Sequence, residues 1–249
     1  AGPKFGTQKV WAFADELKLP RIIYVSKMDR ERSNFYGVVE EVMKTFEVKA
    51  TPVYLPIGAE DKFEGLVDLI KMKAYRFAKD GSGKFEETDV PANMKEEAEE
   101  WREKMIENIV EADDRVMEKY LDGQALSPQE VEETFVKGTK SGLLIPVTCG
   151  SSTFNIGVSQ LMNLMVQGLS APSERPAYEG HRPGKDEKVQ RKPAPDAPLS
   201  ALVFKTVADP FAGKLTLLRV CSGTLKSDST VYNANRGTKE KFGQLLLPE

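Results

Sequence analysis

The chain has 249 residues, of which 40% are hydrophobic and 29% are charged, and its formal net charge is −3. This composition is typical of a folded globular protein of one or two domains, and the charge total does not indicate general affinity for DNA or other nucleic acid. Two cysteines and one histidine exclude a disulfide framework and a zinc site, and no apolar run is long enough to span a membrane, so we expect a cytoplasmic protein with no membrane partner.

The first predicted elements are a helix over residues 8–17 and a strand over residues 22–25. The helix carries apolar residues on one face, and the strand is a β-branched apolar run that begins after Pro20. A polar turn ends the strand. A second helix follows this turn at once, with Ser33 or Asn34 as its cap.

The polar turn carries Lys27 and Asp29, and it lies between a strand and a helix, where open α/β sheets bind their ligands. One carboxylate can accept both donors of the guanine edge, N1–H and N2–H, whereas adenine would leave this acceptor unpaired. The stem of Lys27 can cover the base while its ammonium stays hydrated. The alternative is a pair of solvated turn residues, since Lys226 and Asp228 have the same spacing in a predicted hairpin turn.

The next elements are a strand over residues 51–57 and then an insert over residues 61–142. Two prolines interrupt the strand, so we expect it near a sheet edge. Inside the insert, residues 71–77 and 84–88 predict a pair of strands joined by a glycine-containing turn.

Two helices are predicted in the rest of the insert. The first begins at Pro91, and its apolar residues recur at helical spacing as far as Ala112, while its other faces are acidic. The second begins at Ser127, where Pro128 and Glu130 complete a capping box. The acidic faces are typical of a solvated helix.

A second strand–turn–helix pattern follows the insert. Residues 143–147 predict a buried strand, and the turn after it contains Gly150, Ser151 and Ser152. If both strands lie parallel in one sheet, both turns open at the same edge, and N–H groups around Ser151 and Ser152 can meet guanine O6. The alternative is an ordinary helix-capping turn. The predicted apolar face of the helix consists of Val158, Leu161, Met165 and Leu169.

The last part of the chain differs from the rest in composition and in predicted secondary structure. Residues 171–198 are rich in proline and charge and predict a linker. Residues 199–207, 214–222 and 230–233 predict strands separated by turns. They look like the opening of a small antiparallel β-barrel.

Ser26, Lys27, Met28 and Asp29 together resemble the Asn-Lys-x-Asp guanine-specificity motif of GTPases, and the turn at Gly150 resembles their second base-binding loop. The surrounding sequence is similar to bacterial elongation factor G in the same order along the chain. Ser26 departs from the motif, because serine reaches less far and offers fewer hydrogen-bonding groups than the usual asparagine. The segments that carry the wider resemblance are residues 9–11, 20–22, 57–60, 67–74, 147–151, 204–206 and 209–211.

The resemblance implies a fold class. It is α/β, with a partial P-loop-GTPase-type open sheet, an α+β insert and the start of an antiparallel β-barrel. The implied domains are the GTPase domain in two parts (residues 1–60 and 143–170), the insert (61–142), the linker (171–198) and the incomplete barrel, domain II (199–249).

The resemblance also implies a function and a ligand, GTP or GDP. The family uses GTP hydrolysis to drive translocation on the ribosome, and its insert touches the ribosomal stalk protein. The alternative is a ribosome-docking, recycling or protection paralogue with altered or absent GTPase activity. The implied nucleotide-binding residues are Ser26, Lys27, Asp29, Gly150, Ser151 and Ser152.

The sequence has no glycine-rich phosphate loop of the spacing that a GTPase needs. Residues 81–84 and 180–185 imitate it with wrong spacings, and Asp80 with Gly83 imitates a magnesium-switch motif inside a predicted hairpin turn. By the resemblance, the catalytic and magnesium-binding groups lie in a preceding segment. We therefore expect an inactive fragment of a GTPase, with no catalytic or metal residue, and His181 is given no role.

Overall fold

The structure is a computed structural model that describes residues 2–211 and 213–247. The chain divides into two compact units, Ala1–Ser170 and Ala171–Glu249. The helices of the first unit are α1 (Phe5–Glu16), α2 (Phe35–Phe46), α3 (Lys95–Val110), α4 (Asp114–Leu121), α5 (Pro128–Ser141) and α6 (Val158–Gly168). Its strands are β1 (Ile23–Val25), β2 (Ala50–Pro52), β3 (Tyr54–Ile57), β4 (Gly65–Asp68), β5 (Lys73–Phe77), β6 (Phe85–Asp89) and β7 (Ile145–Cys149).

A parallel sheet in the order β1-β7-β2 forms one side of the first unit. Ile23 pairs with Val147, and Ala50 pairs with Ile145. The strands predicted over residues 22–25 and 143–147 are confirmed, although β1 begins one residue later and β7 begins and ends two residues later. Asn34 caps α2 by accepting a hydrogen bond from the Gly37 N–H at 3.0 Å, as one of the two predicted caps.

The strand predicted over residues 51–57 is in fact two strands that belong to different sheets. β2 lies at the edge of the parallel sheet, and β3 begins an antiparallel sheet in the order β3-β4-β5-β6. Val53 joins the two sheets, because its N–H donates to Val147 O at 3.0 Å and its C=O accepts from the Leu69 N–H at 3.1 Å. The expected edge position is confirmed for both strands.

The insert contains the predicted strand pair and the predicted long helix, which is followed by a short helix that was not predicted. β5 pairs with β6 across the turn at Asp80, whose carboxylate accepts from the Ser82 N–H at 2.9 Å. The helix from Pro91 begins with a short 3₁₀ turn and ends at Val110, and α4 is separate. Asp113 begins this short helix, because its side chain caps α4 by accepting from the Arg115 N–H at 3.1 Å.

One hydrophobic core joins the parallel sheet to the insert. Phe35 and Val39 of α2 lie in the same buried cluster as Phe63, Met105 and Phe135 of the insert. Large side chains with 2% exposure or less therefore come from both parts. The two parts therefore share one close-packed interior.

The buried face of α6 differs from the predicted one. Gln160, Leu164 and Gly168 are buried, whereas Met165 is 46% exposed. Contact with α5 fixes this rotation, since a Cβ at Gly168 would lie 2.8 Å from Thr139 Cγ2. The small residue at the helix contact, rather than the apolar row, determines which face is buried.

The second unit consists of hairpins. Its strands are β8 (Tyr178–His181), β9 (Lys188–Arg191), β10 (Ser200–Asp209), β11 (Gly213–Ser222), β12 (Thr230–Asn233) and β13 (Thr238–Lys241). β8 and β9 lie in the segment that was predicted as a linker. Among the described residues each hairpin pairs only within itself, and apolar side chains such as Leu202 and Phe204 are exposed. Within the described ranges, no helix combines the length and the apolar character needed to cross a membrane.

Candidate functional site

The two polar turns predicted to share a sheet edge do so. β1 and β7 are parallel neighbours, so the turns that follow them leave the sheet at the same edge. The Met28 N–H donates to Gly150 O at 3.1 Å, and the Gly150 N–H donates to Val25 O at 3.1 Å. The turn that carries Lys27 and Asp29 is therefore hydrogen-bonded directly to the second turn.

The first turn presents a lysine and a shielded carboxylate. Lys27 is exposed and has a left-handed backbone, with φ at 62°. The Asp29 side chain is only 8% exposed, and its Oδ2 lies 3.4 Å from Arg30 Nε. Ser26 is exposed. The arrangement offers one largely desolvated acceptor beside an exposed cation at the rim of the sheet.

The second turn has a close approach that only glycine allows. A Cβ at Gly150 would lie 2.3 Å from Ile156 O and 2.4 Å from the Tyr24 hydroxyl oxygen. The backbone of the turn is thus pressed against the end of β1. This contact lets the Gly150 C=O reach the Met28 N–H.

Ser151 does not have the role expected for its backbone N–H. It is fully buried, and its N–H donates to Ile156 O at 3.0 Å, while the Ile156 N–H donates back to Ser151 O at 2.9 Å. Its hydroxyl accepts from the Phe154 N–H at 3.3 Å. The prediction that this N–H meets a ligand carbonyl is therefore wrong for Ser151, because the loop already uses it. Ser152 is exposed, and for this residue the contact with a ligand carbonyl stays a prediction.

A third segment, the connection between β3 and β4, supports the first turn. The Glu60 N–H and the Ser33 hydroxyl both donate to Met28 O, each at 2.9 Å. The Glu60 carboxylate accepts from the Arg32 N–H at 2.7 Å. Glu60 lies in one of the segments that resemble elongation factor G, but the sequence analysis gave it no role. Its partner Arg32 lies 28 residues earlier, and the sequence around Glu60 does not reveal such a distant contact.

Strained backbone conformations cluster around this turn. Lys27, Arg32 and Glu60 have positive φ angles of 62°, 62° and 55°. Such conformations are unfavourable for residues with a Cβ and persist only where the surroundings hold them, most often at functional sites. Three of the eight described non-glycine residues with positive φ therefore lie at or against this turn.

The sheet beneath the site contains two buried hydroxyls without a hydrogen-bond partner. They belong to Tyr24 and Thr148, which are register partners on β1 and β7. Burial is the main cause that raises the pKa of Tyr24 to about 12, and the nearby Cys149 and Asp29 add to it. Among the described residues, these two hydroxyls are therefore buried polar groups that lie below the turns without a hydrogen bond.

The fold and the site define a class: an α/β nucleotide-binding domain, with a parallel sheet whose two polar turns meet at its carboxyl edge. Residues 1–171 match the family described as elongation factor Tu GTP binding domain, and residues 198–247 match elongation factor G domain 2. The chain belongs to this family of translational GTP-binding proteins and is a homologue of elongation factor G.

Two relatives illustrate the similarity. Elongation factor G of Aquifex pyrophilus is 44% identical over 238 residues, which cover 95% of this chain and 34% of that protein. A crystal structure from Thermus thermophilus superposes with a TM-score of 0.75 at 32% identity and covers 97% of this chain and 33% of that one. The chain thus spans about a third of the length of the relatives it matches.

Proposed function

We propose that the edge formed by the two turns binds the guanine base of GTP and GDP. The observation that carries this proposal is the hydrogen bond from the Met28 N–H to Gly150 O, which holds the Asp29 turn beside the second turn. Asp29 accepts the N1–H and N2–H donors, and Lys27 covers the ring. Ser152 donates its N–H to O6.

The remaining predicted residues have supporting roles in this proposal. Gly150 allows the close approach of the turns, and Ser151 stiffens the second turn through its paired bonds to Ile156. Ser26 is the weakest member of the set, because its short side chain replaces the asparagine of the motif. The donors and acceptors present fit a guanine base. The phosphate groups of a bound GTP would supply the bond that is hydrolysed.

We extend the proposal to the whole protein as a GTPase that, like the elongation factor G family, uses GTP hydrolysis on the ribosome to drive translocation. In the elongation factor G family, the residues that bind magnesium and the nucleotide phosphates lie outside the part that this chain matches. The insert is a candidate contact for the ribosomal stalk protein. In support, its α3 carries an exposed acidic row, which a basic partner surface complements. The row consists of Glu96, Glu99, Glu100, Glu103 and Glu107.

A second candidate is a ribosome-docking, recycling or protection paralogue with altered or absent GTPase activity. Ser26 favours it, since loss of the asparagine amide weakens the hold on the nucleotide. Tight ribosome binding that does not depend on nucleotide would support this candidate over the first.

Replacing Asp29 by Asn in the full-length protein tests the base site. Xanthine carries a carbonyl where guanine has its amino group, so Asp29→Asn should prefer XDP. We expect a 10- to 100-fold loss of GDP affinity, roughly the value of a hydrogen bond to a charged group. Competition among GDP, XDP and ADP measures both effects.

The matched control is Asp228→Asn. Asp228 follows Lys226 with the same spacing as the proposed pair, but it lies in the turn between β11 and β12 of the second unit. This variant should keep wild-type affinity. An Asp29→Asn protein that still prefers GDP would contradict the assignment.

A further inference from the structure

Glu60 lies in the connection between β3 and β4, residues 58–64, and hydrogen-bonds to the first turn of the proposed base site. We propose that Glu60 is a positioning residue for guanine recognition, through which the sheet of the insert sets the affinity of the base site. This inference rests on the proposed function. It concerns a residue outside both base-binding turns.

Glu60 fixes the first turn on both sides of Asp29. Its N–H donates to Met28 O at 2.9 Å, directly before the carboxylate residue, and its Oε1 accepts from the Arg32 N–H at 2.7 Å, three residues after it. Ser33 completes the clamp, because its hydroxyl donates to Met28 O and lies 3.3 Å from the Glu60 nitrogen. The backbone around Asp29 therefore has little freedom to shift unless these bonds break.

The conformation of the clamp is unfavourable by itself. Glu60 and Arg32 are both in the left-handed region, at φ of 55° and 62°, and neither is a glycine. The hydrogen bond between them compensates for that cost by holding the two strained residues together. Removing the carboxylate should release Arg32 and loosen the turn.

The clamp is rigidly attached to the insert. Phe63 is 1% exposed and anchors the connection in the shared core, and its N–H donates to Glu60 O at 3.1 Å. The Glu64 N–H donates to Ile57 O at 3.0 Å and closes the hairpin. Displacement of the β3–β4 hairpin by a partner on the insert therefore moves Glu60, and thermodynamic linkage requires nucleotide binding to affect the insert in return.

The test uses the full-length protein with Glu60→Gly and Glu60→Gln. Glycine accepts the left-handed backbone, so Glu60→Gly removes the carboxylate without adding strain. We expect it to weaken GDP binding on the order of tenfold, within the usual range of coupling between sites. Glu60→Gln keeps an acceptor for the Arg32 N–H and should restore most of the affinity.

The control is Glu64→Ala. Glu64 lies in the same connection, but its carboxylate pairs with Arg76 inside the insert and not with the turn. This variant should bind GDP as the wild type does. If substitutions in this connection weakened GDP binding only by lowering the folding stability, Glu64→Ala would weaken it as Glu60→Gly does.

Selectivity separates positioning from a purely structural role. IDP lacks the exocyclic amino group, so the ratio of GDP to IDP affinity reports how well Asp29 is placed. We expect this ratio to fall in Glu60→Gly, and we expect GDP to slow amide hydrogen exchange over residues 58–64 in the wild type but not in Glu60→Gly. A Glu60→Gly protein with a lower melting temperature but unchanged GDP affinity and GDP-to-IDP ratio would overturn the inference.

The outcome is distinguishable from failure of the base site itself. If Asp29→Asn leaves GDP preference unchanged, the proposed function fails. If Asp29→Asn behaves as expected while Glu60→Gly binds GDP normally, only the role of Glu60 fails.

Discussion

At the scale of single residues, the site depends on how closely two backbone segments approach. Gly150 sits where any Cβ would collide with Ile156 O and the Tyr24 hydroxyl. The sequence indicated a glycine-containing turn but not this reason for the glycine. The reason is tertiary, because the colliding atoms come from the neighbouring strand and from the far side of the loop.

We therefore predict that Gly150→Ala lowers the free energy of unfolding by about 1–3 kcal/mol, the usual cost of overpacking. The Met28 bond to Gly150 O should lengthen as the turn moves away, so GDP affinity of the full-length protein should fall as well. Urea unfolding and GDP titration measure the two effects.

Gly6→Ala is the control for this substitution. A Cβ at Gly6 meets no atom within 4 Å, and the residue lies in α1, so alanine should be neutral or slightly stabilising there. Equal stability of Gly150→Ala and the wild type would show that the turn can relax without cost.

At the scale of elements, the sequence predicted what is local and missed what depends on packing. The strand–turn–helix patterns around Asp29 and Gly150 were correct, because strand and helix periodicities are read from neighbouring residues. The sequence analysis assumed that the two strands pair in parallel, and the structure shows this pairing between β1 and β7. The Glu60 clamp and the use of the Ser151 N–H were missed, since both depend on partners that the chain brings back from elsewhere.

The insert illustrates the same limit. The apolar spacing from Met94 to Ala112 continues through the end of α3, so periodicity alone predicts one helix. The separate helix α4, which Asp113 caps directly afterwards, was not predicted. The capping box at Ser127 was predicted correctly, because its residues are only three apart. Local capping chemistry decides helix boundaries more reliably than apolar spacing does.

The start of α5 gives a prediction on pH dependence. An ion pair with Lys119, followed by hydrogen bonds from Ser127, lowers the pKa of Glu130 to about 2. A carboxyl group whose pKa is lowered in the folded state stabilises the fold above its unfolded pKa, and this stabilisation is lost as pH falls through the folded value. Glu130→Gln should therefore melt below the wild type near pH 7, and the gap should narrow between about pH 4.5 and pH 2.

Thermal melts of both proteins across that pH range measure the gap. Glu99→Gln, on the exposed face of α3, controls for loss of a surface charge and should show a small gap. A gap for Glu130→Gln that does not change with pH would show that the ion pair and the cap contribute no titratable stability.

At the scale of the whole molecule, the two units differ in how much apolar surface each buries. The first unit joins its parallel sheet and its insert in one core, which includes Leu55, Leu66 and Phe135. The second unit consists of hairpins with exposed apolar side chains, among them Val203 and Phe204. Two-stranded hairpins are marginally stable in water without such a core.

This difference predicts separate stabilities within the 249-residue chain. Amides of β4 and β5 should exchange only through global unfolding of the first unit, whereas amides of β8, β9, β12 and β13 should exchange through local opening, at least about 100-fold faster. Both tryptophans, Trp11 and Trp101, lie in the first unit, so their fluorescence should follow its cooperative transition alone.

Hydrogen exchange resolved by segment, together with urea unfolding followed by fluorescence and by far-ultraviolet circular dichroism, tests this expectation. The fluorescence transition should be single and steep, and the dichroism should begin to change at lower urea as the hairpins open. Asp29→Asn serves as an internal control, because it alters the base site but should leave both transitions in place. Uniform protection across the hairpins and the core strands would mean that the second unit is stabilised as firmly as the first, which its exposed apolar surface does not predict.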